Sequence, residues 1–333
     1  MKTAKTIGKA AVLALLVFMG LFTACQSTGS VKRDSEAVQA FERGETLYKK
    51  GALKEAIAEY TKAIEIEPKW AEAFIMRGYV HGWNDDLDLA LEDYESATTL
   101  DNKYRDFAQA FRYYEDGDHT RAIETLDKII RNKINLTIAY NLRGNSYNAI
   151  SEFEKAIADC TEAIRLNPEF YGNYVNRASN YNLTEQYDRA IVDCDRAIRL
   201  YPDNFSSYLV RSEAHLRKEN TEKALADINR AIQLNPDNKG GFAFYPYFLR
   251  GFILYSKDDF PRAIADFSQV IQLRSDDLNP YYVNSYLFRG DCYLQTGDYD
   301  KATADIDTAL RLDPGNEDAL YVRGEIRAAR AAQ

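Results

Sequence analysis

The segments RGETLYKKGALKEAIAEYTKAIEIEP (43–68) and RGDCYLQTGDYDKATADIDTALRLDP (289–314) lie near opposite ends of the chain, yet they align without a gap. Their glycines, alanines and terminal prolines fall in register. Apolar residues recur in each half with the spacing of an amphipathic helix, and the proline removes a backbone donor and ends the second helix. Each segment therefore predicts a pair of antiparallel helices.

The same unit recurs along nearly the whole chain. Units begin near residues 37, 71, 103, 137, 171, 205, 244 and 283, and one further helix begins near Glu317; most spacings are 34 residues, one is 32 and two are 39. Two helices that cross closely need small residues where they touch. The twentieth position is alanine in all eight units, and the eighth is always small: Gly44, Gly78, Ala110, Gly144, Ala178, Ser212, Gly251 and Gly290.

A period of 34 with this pattern resembles the tetratricopeptide repeat, and the resemblance covers residues 37–333. It implies an all-α fold, a right-handed α-solenoid superhelix of about eight helix pairs with a capping helix at 317–331. Stability in such an array comes from stacking between neighbouring units. The resemblance also implies a concave groove whose wall is the first helix of each unit, at positions 2, 5, 9 and 12.

A polar pattern accompanies the small residues. Position 7 is arginine and position 23 is acidic in seven of the eight units. The third unit lacks both, with Gln109 and Thr125 at these positions. Because the arginine and the acid are absent together from unit three, we expect the two side chains to pair within a unit through a charge-assisted hydrogen bond. Arg323 in the last helix has no acid in its own unit, so pairing between units stays open.

The first 24 residues resemble a bacterial lipoprotein signal peptide. Lys2, Lys5 and Lys9 precede a short apolar run, and LFTAC (21–25) places a small residue before Cys25. The resemblance implies an acylated Cys25 in a lipid bilayer, a flexible tether at 25–36, and a body at the bacterial cell envelope, in the periplasm or at the surface. An ordinary signal peptide or an uncleaved anchor is the alternative, and the choice of membrane stays open.

Composition limits the function. The net charge is −9, and loss of three lysines with the signal makes it −9 − 3 = −12, which argues against nucleic-acid binding. We interpret Cys160, Cys194 and Cys292 as small buried residues. The sequence contains no catalytic or phosphate-binding motif. His81 and His215 share a packing position, so we expect no enzyme, cofactor or metal.

The groove positions carry the candidate site. Aromatic residues fill them in units three and seven and extend into unit two, and asparagines follow in units four and five: Tyr79, Trp83, Tyr104, Phe107, Phe111, Tyr114, Tyr245, Phe248, Phe252, Tyr255, Asn141, Asn145, Asn148, Asn176 and Asn180. Exposed aromatic strips mark contact surfaces, and amides can bond a peptide backbone. Five-residue insertions flank unit seven at 239–243 and 278–282, so burial inside the protein or against a second copy stays open.

Three functions are compatible with these features. The first is a non-enzymatic, membrane-tethered scaffold that binds a protein or peptide partner in the concave groove. The second is a transporter-associated component that binds an apolar small ligand or docks a solute-binding protein. The third is a structural homo-oligomer.

Overall fold

The computed structural model describes residues 33–235, 244–273 and 280–332. The predicted signal peptide, Cys25 and most of the tether lie outside these residues. The described chain is entirely helical apart from short connections. Its seventeen α-helices are α1 (Ser35–Lys49), α2 (Leu53–Ile66), α3 (Ala71–Trp83), α4 (Leu87–Leu100), α5 (Arg105–Glu115), α6 (His119–Arg131), α7 (Leu136–Ala149), α8 (Phe153–Leu166), α9 (Tyr171–Leu183), α10 (Tyr187–Leu200), α11 (Phe205–Arg217), α12 (Thr221–Leu234), α13 (Tyr245–Ser256), α14 (Phe260–Leu273), α15 (Pro280–Gln295), α16 (Tyr299–Leu312) and α17 (Glu317–Ala331).

Local sequence explains where these helices begin and end. The second helices α2, α8, α10 and α16 each end two residues before a proline, because the residue preceding proline disfavours the helical conformation. Several helices begin at a side chain that accepts a hydrogen bond from a first-turn N–H group. These capping residues are Asp34, Asp118, Asn204, Asp298 and Asn316.

Small residues let the two helices of a unit approach each other. The alanine at position 20 is fully buried in every unit, from Ala56 to Ala302. A Cβ atom at Gly44 would lie 2.8 Å from the Tyr60 ring, and one at Gly290 would lie 2.9 Å from Ile306. Real side chains do not approach so closely, so the glycines are required where the rings and aliphatic side chains of the second helix pack.

The helix pairs stack in chain order into a superhelix, as the sequence predicts. Each helix packs on its partner and on the next unit, and first helices also contact first helices, for example α9 with α11 and α13 with α15. Neighbouring second helices make no contact of comparable extent in the described residues. The odd-numbered helices therefore form the inner wall. Within the described ranges, no helix is long and apolar enough to cross a membrane.

Candidate functional site

The predicted arginine–acid pairs are confirmed in all seven units that carry them. In unit five, Arg177 Nε lies 2.7 Å from Asp193 Oδ2, and Arg177 Nη2 lies 2.9 Å from Asp193 Oδ1. Such a two-point contact fixes the relative orientation of the two helices. The pairs are Arg43–Glu59, Arg77–Asp93, Arg143–Asp159, Arg177–Asp193, Arg211–Asp227, Arg250–Asp266 and Arg289–Asp305.

Each of these arginines after the first also binds the preceding unit. Arg177 Nη1 donates to Thr161 Oγ1 at 3.1 Å, and Arg211 Nη1 lies 2.6 Å from Asp195 Oδ1. The arginine thus joins two helices of its own unit to the second helix of the unit before it. The other bonds of this type are Arg77–Thr61, Arg143–Asp127, Arg250–Asn229 and Arg289–Ser268.

The predicted asparagine floor bonds largely to itself. Asn148 Nδ2 donates to Asn180 Oδ1 at 2.8 Å, and Asn176 Nδ2 donates to Asn145 Oδ1 at 3.2 Å, which joins α7 to α9. Asn141 and Asn180 are buried, at 2% and 4% exposure. Only the half-buried Asn145, Asn148 and Asn176 retain surface. The amides therefore tie units four and five together.

The aromatic residues of unit three do not line a groove as expected. Tyr104, Phe107 and Phe111 are buried, and both phenylalanine rings contact Tyr94 of α4. Burial is favoured because each ring removes a large apolar area from water. Of the four predicted residues, Tyr114 alone is half-buried, with its ring 5.3 Å from that of His119. The expectation that these rings are exposed is therefore wrong for three of the four.

The groove beside units one and two is filled by a later part of the same chain. Phe170 is fully buried. The centroid of its ring lies 4.3 Å from the ring centroid of Tyr48 and 4.9 Å from that of Trp83. Tyr79 is also buried, and its ring contacts those of Tyr48 and Trp83. Of the two predicted groove residues of unit two, Trp83 thus contacts an internal ring, and Tyr79 is buried against Tyr48 and Trp83.

The same contact continues at the turn of unit one. A Cβ atom at Gly51 would lie 2.8 Å from the rings of both Tyr171 and Tyr201, and those two rings are 5.0 Å apart. Unit one therefore contacts unit five at both of its ends, through Tyr171 and Tyr201. We call the six rings of Tyr48, Tyr79, Trp83, Phe170, Tyr171 and Tyr201 the closing cluster.

Unit seven retains an exposed aromatic surface. Phe252 is 45% exposed, and its ring packs edge-on against Phe288 of α15. Phe248 lies beneath, at 9% exposure, and contacts Phe267 and Phe288. Tyr245 and Tyr255 are half-buried at the two ends of α13. Internal burial, which the sequence left open for unit seven, therefore holds for Phe248, and the other three side chains retain surface.

Two carboxylates flank this surface. A search of the sequence for aromatic residues at the groove positions does not find them. The Tyr245 hydroxyl interacts with Glu213 of α11, and burial raises the pKa of Glu213 and of Tyr245. Asp291 of α15 accepts a hydrogen bond from the Tyr255 hydroxyl. Both acids occupy position 9 of their units, which is one of the four groove positions. Charged residues at the groove positions could therefore have identified these two acids from the sequence. We call Glu213, Tyr245, Phe252, Tyr255 and Asp291 the α13 face.

The reactive side chains have structural surroundings. His81 and His215 are both buried at 8% exposure, as their shared packing position predicts. Cys160, Cys194 and Cys292 are buried free thiols, and burial raises the pKa of Cys160 to about 12. Across the described residues, no group of three or more His, Cys, Asp or Glu side chains could hold a metal ion.

A cleft of about 610 Å³ lies between α12, α13 and α14. Its lining is charged, and the charges pair with one another. Arg250 binds Asp266, Lys257 binds Glu222, and Arg262 binds Asp259. The cleft therefore offers little unpaired charge to a ligand.

Family models match four segments of the chain. They describe a tetratricopeptide repeat at 137–170, 184–239 and 283–316, and a TPR repeat at 44–83. Together with the repeated helix pairs, these matches identify the chain as a tetratricopeptide repeat protein.

Two curated proteins and one solved structure show how far the similarity extends. The chain is 28% identical over 109 residues, 32% of its length, to human tetratricopeptide repeat protein 13, and 26% identical over 103 residues, 31% of its length, to Hsp70-Hsp90 organizing protein 3 of Arabidopsis thaliana. These matches span only 12% and 17% of the two relatives. The APC/C hetero-tetramer Cut9-Hcn1 matches with a TM-score of 0.56 at 14% identity, over 96% of this chain and 76% of that one, which shows the shared fold.

Proposed function

We propose that the protein is a non-enzymatic scaffold that binds a segment of another protein on the α13 face. The observation that carries this proposal is the exposure of Phe252. This residue is 45% exposed, and its ring packs against the ring of Phe288. A rigid, half-exposed aromatic ring is a typical anchor for a partner side chain, since little conformational entropy is lost when it is covered.

The contrast between the two halves of the superhelix supports this location. In units one to five the predicted groove residues are buried or half-buried, through contacts with one another, with Tyr94 or with Phe170. In unit seven the corresponding ring is exposed, and Tyr281 and Tyr321 of the following helices are 36% and 69% exposed. A partner therefore finds accessible aromatic surface in the C-terminal half.

The proposal includes the tether suggested by the N-terminal sequence. Acylation of Cys25 would hold the protein at a membrane of the cell envelope, where several acyl chains anchor firmly. Membrane attachment would concentrate the α13 face near partners in the same compartment, which raises effective concentration without any new contact.

Site-specific photo-crosslinking in intact cells tests the proposal. A photoreactive phenylalanine analogue at position 252 should trap one stoichiometric protein partner, and Phe252→Ser should abolish capture of that partner by an affinity tag. Val192 is 63% exposed on the outer helix α10, so the analogue at position 192 and Val192→Ser are the matched controls. Equal capture by the two serine variants would contradict the assignment of the α13 face. In the same cells, Cys25→Ser should move the protein from the membrane fraction to the soluble fraction.

A further inference from the structure

We infer that the partner segment on the α13 face is cationic, with an arginine or lysine side chain next to an apolar anchor. This inference rests on the proposed function and names the chemistry of the partner. It is carried by the two carboxylates that flank Phe252 and by the charge of the surrounding inner wall.

Glu213 and Asp291 differ from the acids inside the units. Every acid at position 23 has an arginine within ion-pair distance, for example Asp227, which is 2.6 Å from Arg211. Glu213 and Asp291 form no ion pair with any described residue, and their partners are neutral. Besides the tyrosines, Asn182 donates to Glu213 at 3.4 Å and Gln295 donates to Asp291 at 3.1 Å.

An unpaired, half-buried carboxylate is costly, because it loses hydration without gaining an opposite charge. Each carboxylate can accept about four hydrogen bonds, and the described contacts use two at each site. Acceptor capacity therefore remains on both acids. A guanidinium or ammonium group would complete their hydrogen bonding and compensate their charge.

The wider inner wall has the same sign. At groove positions 2, 5, 9 and 12 of units six to eight and of the capping helix α17, the charged residues are Glu213, Asp291, Asp318 and Glu325, all acidic. Arg217, one position beyond the register, is the basic residue that contributes to the electrostatics of Glu213. The wall is thus complementary to a basic segment and repels an acidic one.

The exposed ring adds a second form of recognition. Phe252 lies on the same helix as Tyr245 and Tyr255, the two tyrosines that bind the carboxylates. A cation drawn to either acid would lie near these aromatic side chains, where cation–π attraction can strengthen its binding. An apolar neighbour in the same segment would cover Phe252.

Fluorescence anisotropy with the mature full-length protein tests the inference. The probes are two end-blocked, fluorescein-labelled hexapeptides, one of alternating arginine and leucine and one of alternating glutamate and leucine. The arginine peptide should bind and the glutamate peptide should not. The double variant Glu213→Gln/Asp291→Asn should weaken binding of the arginine peptide about tenfold or more, since two charge-assisted contacts are lost. Raising the ionic strength to about 0.3 M should also weaken it by screening.

Glu154→Gln/Asp307→Asn is the matched control, because it makes the same change in net charge at two exposed acids on second helices. Equal weakening by both double variants would overturn the inference, as would equal binding of the two peptides. The photo-crosslinked partner separates this inference from the proposed function. If capture requires Phe252 but is unchanged by Glu213→Gln/Asp291→Asn, the face binds a partner and the cationic segment is wrong. If Phe252→Ser turns a dimer of this chain into a monomer and the arginine peptide does not compete for the dimer contact, a second copy covers the face and the inference fails.

Discussion

At the scale of single residues, burial separates two kinds of arginine–acid pair. The side chains of Arg177 and Asp193 are 17% and 7% exposed, whereas those of Arg43 and Glu59 are 45% and 28% exposed. Exposed pairs are screened by water and contribute about 0–1 kcal/mol. Removal of one partner from a buried pair leaves an uncompensated charge, which costs about 3–5 kcal/mol.

Arg177→Ala should therefore lower the free energy of unfolding by about 3 kcal/mol, since Asp193 stays buried and loses its cation. Arg43→Ala should lower it by less than about 1 kcal/mol. Urea denaturation followed by circular dichroism measures both. Arg177→Ala/Asp193→Ala should recover part of the loss, and equal effects of the two single variants would show that burial of the pair does not determine its contribution.

Residue patterns predicted these pairs well and the exposed rings poorly. The pairs were predictable because unit three loses Arg and acid together, and both positions lie within one local unit. Exposure of Tyr104, Phe107 and Tyr79 depends on which other helix or connection covers them. The helical period specifies which side chains share one face of a helix, but not which other part of the chain packs over that face. For this reason the sequence did not predict that Phe170 would fill the groove.

At the scale of the helix pair, the turn between the two helices has a constant conformation. Position 15 of every unit has a positive φ angle, but only three units use glycine there: Gly51, Gly117 and Gly297. The other five units place Asp85, Ser151, Glu185, Glu219 and Asp258 in this left-handed region. A side chain there costs roughly 1–2 kcal/mol per residue. Packing of the two helices therefore holds the turn in a left-handed conformation, which these five residues disfavour.

Exchanges at this position should change stability in opposite directions. Glu185 has φ of 59°, so Glu185→Gly should raise the free energy of unfolding by about 0.5–1 kcal/mol, the strain relief being partly offset by unfolded-chain entropy. Gly297 has φ of 80°, and apart from the glycine and its two chain neighbours no atom lies within 4 Å of the position that a Cβ atom would take there. Gly297→Ala should therefore lower the free energy of unfolding by about 1 kcal/mol through backbone strain alone. Chemical denaturation measures both. Destabilisation by Glu185→Gly would mean that its side chain stabilises the turn.

At the scale of the whole molecule, the closing cluster joins parts of the chain that are distant in sequence. Stacking between neighbours would place unit one in contact with unit two only. Phe170 and Gly51 instead bring units one and two against the connections on either side of unit five. This contact joins units one and two to the two ends of unit five, and no residue of the α13 face belongs to the closing cluster.

Phe170→Ala should loosen this closure and cost about 3–5 kcal/mol. Small-angle X-ray scattering should show a larger radius of gyration, because units one and five are no longer held together. Phe267 is equally buried but packs among units seven and eight, so Phe267→Ala is the matched control, with a similar loss of stability and little change in dimensions. An unchanged radius of gyration for Phe170→Ala would show that neighbour stacking alone fixes the curvature.

The closing cluster also bears on how the molecule comes apart. A linear stack frays from its free end, and its first helix would exchange amide protons soonest. Here the first helix carries Tyr48, whose ring rests on Phe170, so detachment of that end requires disruption in the middle of the chain. Units one to five should consequently melt as one cooperative block, and fraying should begin instead at α17, the end that no ring of the cluster secures.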